Sequence, residues 1–206
     1  VTQVVLATGN PGKIQEFNAA LSSAGLEVCG LEALSDRTPV EETGETFEAN
    51  ARLKAEEYSL RTDRVVLAED SGLEVDALGG DPGVRSARYG GDGLDDHGRV
   101  LKLLETLENV PDDRRTARYR AVLAVAQGGK TLAVFPGAVE GRILRECRGE
   151  GGFGYDPVFF HEGSGRTFAQ VSRAAKQELS HRGDAIRQFL KALKTGELVL
   201  ENPRSG

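Results

Sequence analysis

Two adjacent carboxylates, Glu69 and Asp70, follow directly on the apolar run Val65-Val66-Leu67-Ala68 and precede Ser71-Gly72. Read as a buried strand that stops at an acidic Ser-Gly turn, this segment requires a cation, a hydrogen-bond network or water at its end. In an open α/β sheet, the carboxyl end of a strand is also where ligands settle. The stretch LAEDSGLEVDALGGDPGVRSARY over 67–89 therefore reads as part of a metal-assisted active site. Glu41 and Glu42 add two further hard oxygen donors of the kind that suits Mg²⁺. Their alternative reading is that of solvated loop charges. Asp70 is harder to read that way because of its position after a buried strand, and because successive strand residues face opposite ways, one of Glu69 and Asp70 is expected to face the site.

Three other clusters could do chemistry. Thr8, Gly9, Asn10, Pro11, Gly12 and Lys13 lie between a strand pattern and a helical one. There the open backbone amides and the positive end of a helix dipole can receive phosphate, and Lys13 adds a point charge. Pro11 removes one such donor, and the GxxxxGK[ST] spacing of a Walker loop is absent. An ordinary strand–helix connection accounts for the segment equally well. Phe153, Gly154, Tyr155 and Asp156 combine aromatic rings with a carboxylate, either to clamp a flat heterocycle or to form a core corner. Ser180-His181-Arg182-Gly183 sits at a helix junction, with Lys176 one turn upstream. His181 has the alternative reading of a helix carboxyl cap, and Lys54, taken alone, reads better as a helix-surface lysine. No elbow-type serine is present, which argues against nucleophilic serine catalysis.

The elements that must position these residues can be read from periodicity. A buried strand at Val4-Val5-Leu6-Ala7 leads through the glycine turn into a helix carrying Ile14, Phe17 and Leu21. A short strand follows over 26–30, and Thr46 is placed to cap a helix through Phe47, Ala51, Lys54 and Tyr58. A half-exposed strand is expected over 73–78 and a helix over 94–110. Strands over 118–127 and 131–135 are joined by Gly128-Gly129-Lys130, a hairpin signal, with a third strand over 139–144. A glycine-rich loop over 149–154 then leads to two helical patterns, over 168–179 and 184–194. The mixture predicts an α/β protein with a mixed sheet. Residues 1–200 read as one domain, and 201–206 as a frayed tail.

Bulk properties exclude several classes. The chain has 206 residues and a formal net charge of −6, which argues against a general nucleic-acid binder. No apolar run approaches the about 20 residues that cross a bilayer, and the N-terminal VTQVVLATGN reads as a strand rather than a signal peptide. Cys29 and Cys147 show no CxxC spacing, so they read as reduced thiols rather than zinc ligands. A cytoplasmic protein is expected.

Taken in order, ATGNPGK, EETGETFEANARLKA, AEDSGLEVDALGGDPGVRSARY, GGFGYDPVF and SHRG resemble the inosine triphosphate pyrophosphatase family, the non-standard purine (XTP/dITP) pyrophosphatases. The resemblance is collinear over nearly the whole chain. It implies Mg²⁺-dependent hydrolysis of deaminated purine nucleoside triphosphates (ITP, dITP, XTP) to the monophosphate and pyrophosphate. It also implies an elongated mixed β-sheet flanked by helices in two lobes with a central cleft, usually as a homodimer. Carried over by residue, Thr8 through Lys13 cradle the triphosphate, with Lys54 as a further charge. Glu41 and Asp70 hold the metal, Asp70 is also the general base, and Ser71 touches substrate. Phe153, Gly154, Tyr155, Asp156 and Lys176 hold the base and sugar, and His181 and Arg182 read the base edge. A 6-keto group would accept from either, whereas the 6-amino group of adenine would set donor against donor. The alternatives are a Maf-type pyrophosphatase of modified or pyrimidine triphosphates and a catalytically silent nucleotide-binding protein. The FGYDP and SHRG segments argue against the first, and the full complement of carboxylates and lysines against the second.

Overall fold

The computed structural model describes residues 2–91 and 93–200; the expected tail over 201–206 lies outside them. Seven strands form one sheet in the order β2-β1-β3-β4-β5-β6-β7. They are β1 (Thr2–Leu6), β2 (Leu26–Cys29), β3 (Val65–Val75), β4 (Thr116–Gln127), β5 (Lys130–Ile143), β6 (Phe159–His161) and β7 (Arg166–Thr167). The helices are α1 (Pro11–Leu21), α2 (Phe47–Ser59), α3 (Asp96–Thr106), α4 (Arg173–Leu179) and α5 (His181–Thr195). β1 pairs in parallel with both β2 and β3, whereas β6 is antiparallel to β5 and to β7. The expected α/β class with a mixed sheet is what the chain forms. Parallel neighbours need a long crossover, and here α1 leads from β1 to β2 while α2 precedes β3.

The chain divides into two compact units. Of the described residues, the first comprises 2–70, 122–136 and 185–200, the second 71–91, 93–121 and 137–184. In the first, Val4, Leu6, Val65 and Leu67 on one face pack with Phe17 and Leu21 of α1 and Ile186 and Phe189 of α5. Val5 and Val66 on the other face pack with Leu34 and with Tyr58 of α2. The second unit has its own core, in which Leu73, Val75, Val100, Leu103, Tyr119, Tyr155, Phe159 and Phe168 meet.

Two expectations about strand breaks are corrected. No turn interrupts Glu69-Asp70-Ser71-Gly72; β3 runs straight through the acidic pair to Val75. The local turn signal loses because both carboxylates acquire partners from the helices that cover the sheet, Glu69 from Lys13 of α1 and Asp70 from Asn50 of α2. The strands expected over 131–135 and 139–144 are likewise one strand, β5, carried through Pro136-Gly137. The hairpin itself forms as expected, with Gly128 and Gly129 at φ 57° and 78°, a left-handed pair that favours glycine. The helix expected over 168–179 starts only at Arg173, capped by the Ser172 side chain, because Phe168 is buried in the second core.

Arg115, at the entrance to β4, is 2% exposed. Its guanidinium donates to the carbonyls of Leu107, Ile143 and Leu144, so one side chain ties the end of α3 to the end of β5. Replacing it leaves three buried acceptors without donors. Arg115→Met is therefore expected to destabilise the protein by about 3 kcal/mol or more, measured as a lower urea midpoint at unchanged slope.

Candidate active site

The first unit builds a cavity of about 320 Å³ beyond the carboxyl end of β1, lined by Thr8, Gly9, Lys13, Glu42, Lys54 and Glu69 among others. Strand lengths explain its location. β1 ends at Leu6, and after Ala7 N–H bonds Leu67 O the chain turns away, while β3 continues. Lys54 Nζ on α2 instead donates to Glu69 O at 2.9 Å and pairs with Glu42 at 2.6 Å. The Glu69 side chain, 3% exposed, lies 3.3 Å from Lys13 Nζ on α1. A carboxylate this buried is tolerated because a cation faces it.

Asp70 projects to the other face, where it accepts from Asn50 Nδ2 at 3.1 Å. Asn50 is fully buried on α2 and also accepts from Gly44 N–H at 2.7 Å. The loop can approach only because residue 44 is glycine: a Cβ there would stand 2.7 Å from Asn50 Oδ1 and 2.8 Å from Ala49 Cβ. Asn50 thus joins Asp70 to the loop that carries the acidic pair Glu41-Glu42. The opposite-face expectation for Glu69 and Asp70 holds, but Glu69 rather than Asp70 lines this cavity. Likewise Glu42 lines it, and Glu41 is exposed.

The phosphate-loop candidates are arranged as a capped helix start. Asn10 Oδ1 accepts from Gly12 N–H at 2.8 Å and Lys13 N–H at 3.2 Å, and Pro11 occupies the first turn of α1. Asn10 N–H in turn donates to Thr8 Oγ1 at 3.2 Å. The amides of Gly12 and Lys13 are therefore already bonded to the Asn10 side chain, and an anion would have to take its place. Thr8, Gly9 and Lys13 line the cavity; Asn10, Pro11 and Gly12 flank it as exposed residues.

The second unit assembles the other candidates around Asp156, which is 2% exposed. Its carboxylate accepts from Phe153 N–H at 2.9 Å, from Tyr119 Oη at 3.4 Å and, in a short contact, from Lys176 Nζ. Lys176 Nζ also sits 4.1 Å from the centre of the Phe153 ring, and the Arg182 guanidinium 5.8 Å from it. Phe153 is 55% exposed. An exposed ring with two cations near it offers a stacking platform. Gly154 N–H is held by Asp96 at 2.8 Å. His181 and Arg182 begin α5, both buried, so His181 stands at a helix amino end and the carboxyl-cap reading is set aside. Ser71 is half-buried on β3, as the first residue of the second unit.

Tyr155 is not brought to the exposed loop. It is buried, with its hydroxyl donating to Ser86 O at 2.7 Å, and burial raises its phenol pKa above the ordinary range. Asn50 and Tyr119 were missed in the sequence. Asn50 recurs at helical spacing among Phe47, Ala51 and Tyr58, so a polar residue on the buried stripe was the available signal. Tyr119 alternates inward with Ala117 and Ala121, a pattern that marks burial and nothing more. Both cysteines are free, and no helix among the described residues is long and apolar enough to cross a membrane.

These features define a mixed α/β protein with lysines and carboxylates around a cavity at a strand end in one unit and a cation-flanked aromatic ring in the other. The Ham1 family model matches residues 4–192, and the chain belongs to that family. A dITP/XTP pyrophosphatase of Geobacillus kaustophilus is 48% identical over 184 residues, 89% of this chain and 90% of the relative. Among solved structures, the Staphylococcus aureus Ham1 protein aligns at 40% identity with TM-score 0.86, over 96% of this chain and all of that one. A HAM1 protein from Coxiella burnetii aligns at 37% identity with TM-score 0.88, over 95% of this chain and 100% of its own. The resemblance read from the five motifs is borne out at the level of family and fold.

Asp156 is the hub of its constellation, so truncating it strands a partly buried lysine and a backbone donor. Asp156→Ala is expected to cost about 3 kcal/mol, seen as a lower thermal midpoint.

Proposed function

We propose that this protein is a nucleoside-triphosphate pyrophosphatase that hydrolyses deaminated purine nucleotides such as dITP and XTP to the monophosphate and pyrophosphate. The reading rests on the identity to relatives named dITP/XTP pyrophosphatase over nine-tenths of the chain. The observation in the molecule that supports it best is the pairing of Lys13 with Glu69 and of Lys54 with Glu42 around one cavity. In such a site, lysines that turn to phosphate oxygens release their carboxylates to a metal.

In this reading Lys13, Lys54 and the amino end of α1 spread the charge of the triphosphate. The proton of the attacking water goes to a carboxylate of the Glu69-Asp70 pair: the resemblance names Asp70, which Asn50 orients on the face away from Lys13, while Glu69 is the one on the cavity wall. Water oxygen bonds to the α-phosphorus, the α–β anhydride bond breaks, and pyrophosphate leaves with the bonding electron pair. Phe153 stacks on the purine, while His181 and Arg182 donate to its 6-keto oxygen. Facing those donors with a 6-amino group would leave buried polar groups unpaired, at about 1–3 kcal/mol each.

Mg²⁺ belongs to the reading as well. Among the described residues no group of three or more acidic, histidine or cysteine side chains could hold a metal by itself. Mg²⁺ commonly takes one or two protein carboxylates and completes its shell with substrate phosphates and water, and that requirement the cavity carboxylates fit. The resemblance names Glu41 and Asp70 for this role; the cavity offers Glu42 and Glu69, their sequence neighbours. Bound there, the ion would neutralise phosphate charge and acidify a coordinated water. A homodimer and a cytoplasmic setting complete the proposal, the second in keeping with two free thiols.

The decisive experiment is a panel of purine and pyrimidine triphosphates with Mg²⁺, scored for pyrophosphate against orthophosphate. Pyrophosphate from dITP and XTP, well ahead of dATP, is expected; orthophosphate as first product, or a preference for pyrimidines or ATP, would overturn the reading. Asp70→Asn is expected to abolish turnover at unchanged thermal midpoint, and a near-normal dITP rate in it would remove Asp70 as base. A Mg²⁺ titration of rate compares the two loop acids. Glu42→Gln is expected to raise the half-saturating Mg²⁺ concentration by about tenfold and Glu41→Gln to raise it less; the reverse order would return the metal role to Glu41.

A further inference from the structure

We propose that Tyr119 is a positioning residue for purine selectivity, its ring holding the His181 imidazole in the plane from which it reads the base edge. The inference rests on the proposed function, since it names what orients one of the groups assigned there to the 6-keto oxygen.

The argument begins with the strand. Tyr119 points inward from β4 between Ala117 and Ala121, whose small side chains leave room for a large ring. It is 8% exposed, and its ring lies parallel to His181, with centroids 4.8 Å apart and planes 12° from each other. Phe168 is also parallel to it, at 6.0 Å and 2°. Phe159 leans on the Tyr119 ring at 4.6 Å and 51°. The Tyr119 ring is therefore held by its own neighbours and cannot tilt to follow the imidazole. His181, the first residue of α5 and 6% exposed, has its ring plane set by that fixed surface.

Ring plane matters because hydrogen bonds weaken steeply as they bend. An imidazole donates only in its own plane, so a stack that fixes the plane fixes the direction of its N–H. The Tyr119 hydroxyl adds a contact to Asp156 at 3.4 Å. Burial first, and then the Asp156 charge, push the phenol well above its ordinary pKa, so it stays a neutral donor. At that length the contact contributes less than the stack, and the ring carries the effect. One side chain thus touches His181, which the proposed function assigns to the base edge, and Asp156, which the resemblance places at the base and sugar end.

A purely structural role for Tyr119 would lower the rates with inosine and adenine nucleotides in proportion. A positioning role changes their ratio, because only the 6-keto substrate gains from an aligned donor. The test is competition between dITP and dATP in one reaction with the full-length protein, which gives the ratio of kcat/KM independently of the folded fraction. Tyr119→Phe keeps the stack and is expected to hold the ratio within about twofold. Tyr119→Leu removes it and is expected to lower the ratio by about tenfold, the loss of one aligned edge contact. Tyr119→Met, a flexible side chain without a ring, is expected to behave like the leucine variant and supplies the reading if that one fails to fold. Unchanged ratios in the leucine or methionine variant would overturn the proposal. So would a fall in the phenylalanine variant as large as theirs, which would shift the effect to the hydroxyl. If the unsubstituted protein shows no preference for dITP, the functional reading fails before any variant is compared.

Discussion

Burial of the Glu69 carboxylate in the middle of β3 is the constraint on which the first unit's arrangement depends. A charge that is 3% exposed cannot stand without a counter-charge. Lys13 supplies it from α1, which fixes where α1 must begin, and Asn10 and Pro11 start the helix there. The backbone at the same residue has an equivalent need. β1 has ended, Glu69 O lies beyond its last partner, and Lys54 reaches across from α2 to occupy it. Two lysines from two helices therefore converge on one residue of one strand, and the cavity lies between them. The same lysines that make the strand tolerable are the cations a phosphate chain would meet.

The second unit solves a similar problem with different chemistry. Asp156 is also buried, and it too takes a lysine and a backbone amide, but its surroundings are aromatic. Phe153, Phe168 and Tyr119 provide flat surfaces against which Lys176, Arg182 and His181 lie by stacking and cation–π contact. Such contacts are directional without saturating the hydrogen-bonding capacity of the groups they hold.

Much of this was legible in order along the chain. The strand–glycine–helix opening, the Thr46 cap, the Gly128-Gly129 hairpin and the α/β class follow from local preferences that the fold does not override. The strand breaks misread at Ser71-Gly72 and Pro136-Gly137 were local signals outweighed by pairing in the sheet, which no window of a few residues contains. Tyr155 and Phe153 show the same limit at single-residue scale. Both are aromatic and two positions apart, yet one enters the core to bond Ser86 O and the other remains exposed beneath two cations.

The sequence by itself determined the inventory: which carboxylates, lysines and rings are available, which elements carry them, and which family the ordered motifs resemble. Tertiary structure alone decided which of two neighbours faces the cavity. Glu69 rather than Asp70, and Glu42 rather than Glu41, stand on its wall. Adjacent acidic residues are chemically interchangeable in a linear reading, but in β3 the pleat sends Glu69 and Asp70 to opposite faces, and in the loop the path of the backbone separates Glu41 from Glu42. Which face becomes a site depends on where other strands end and which helices cover the sheet. The roles of Asn50 and Tyr119 were invisible for the same reason, since the contacts that link them to Asp70 and Asp156 are made across 20 and 37 positions of chain.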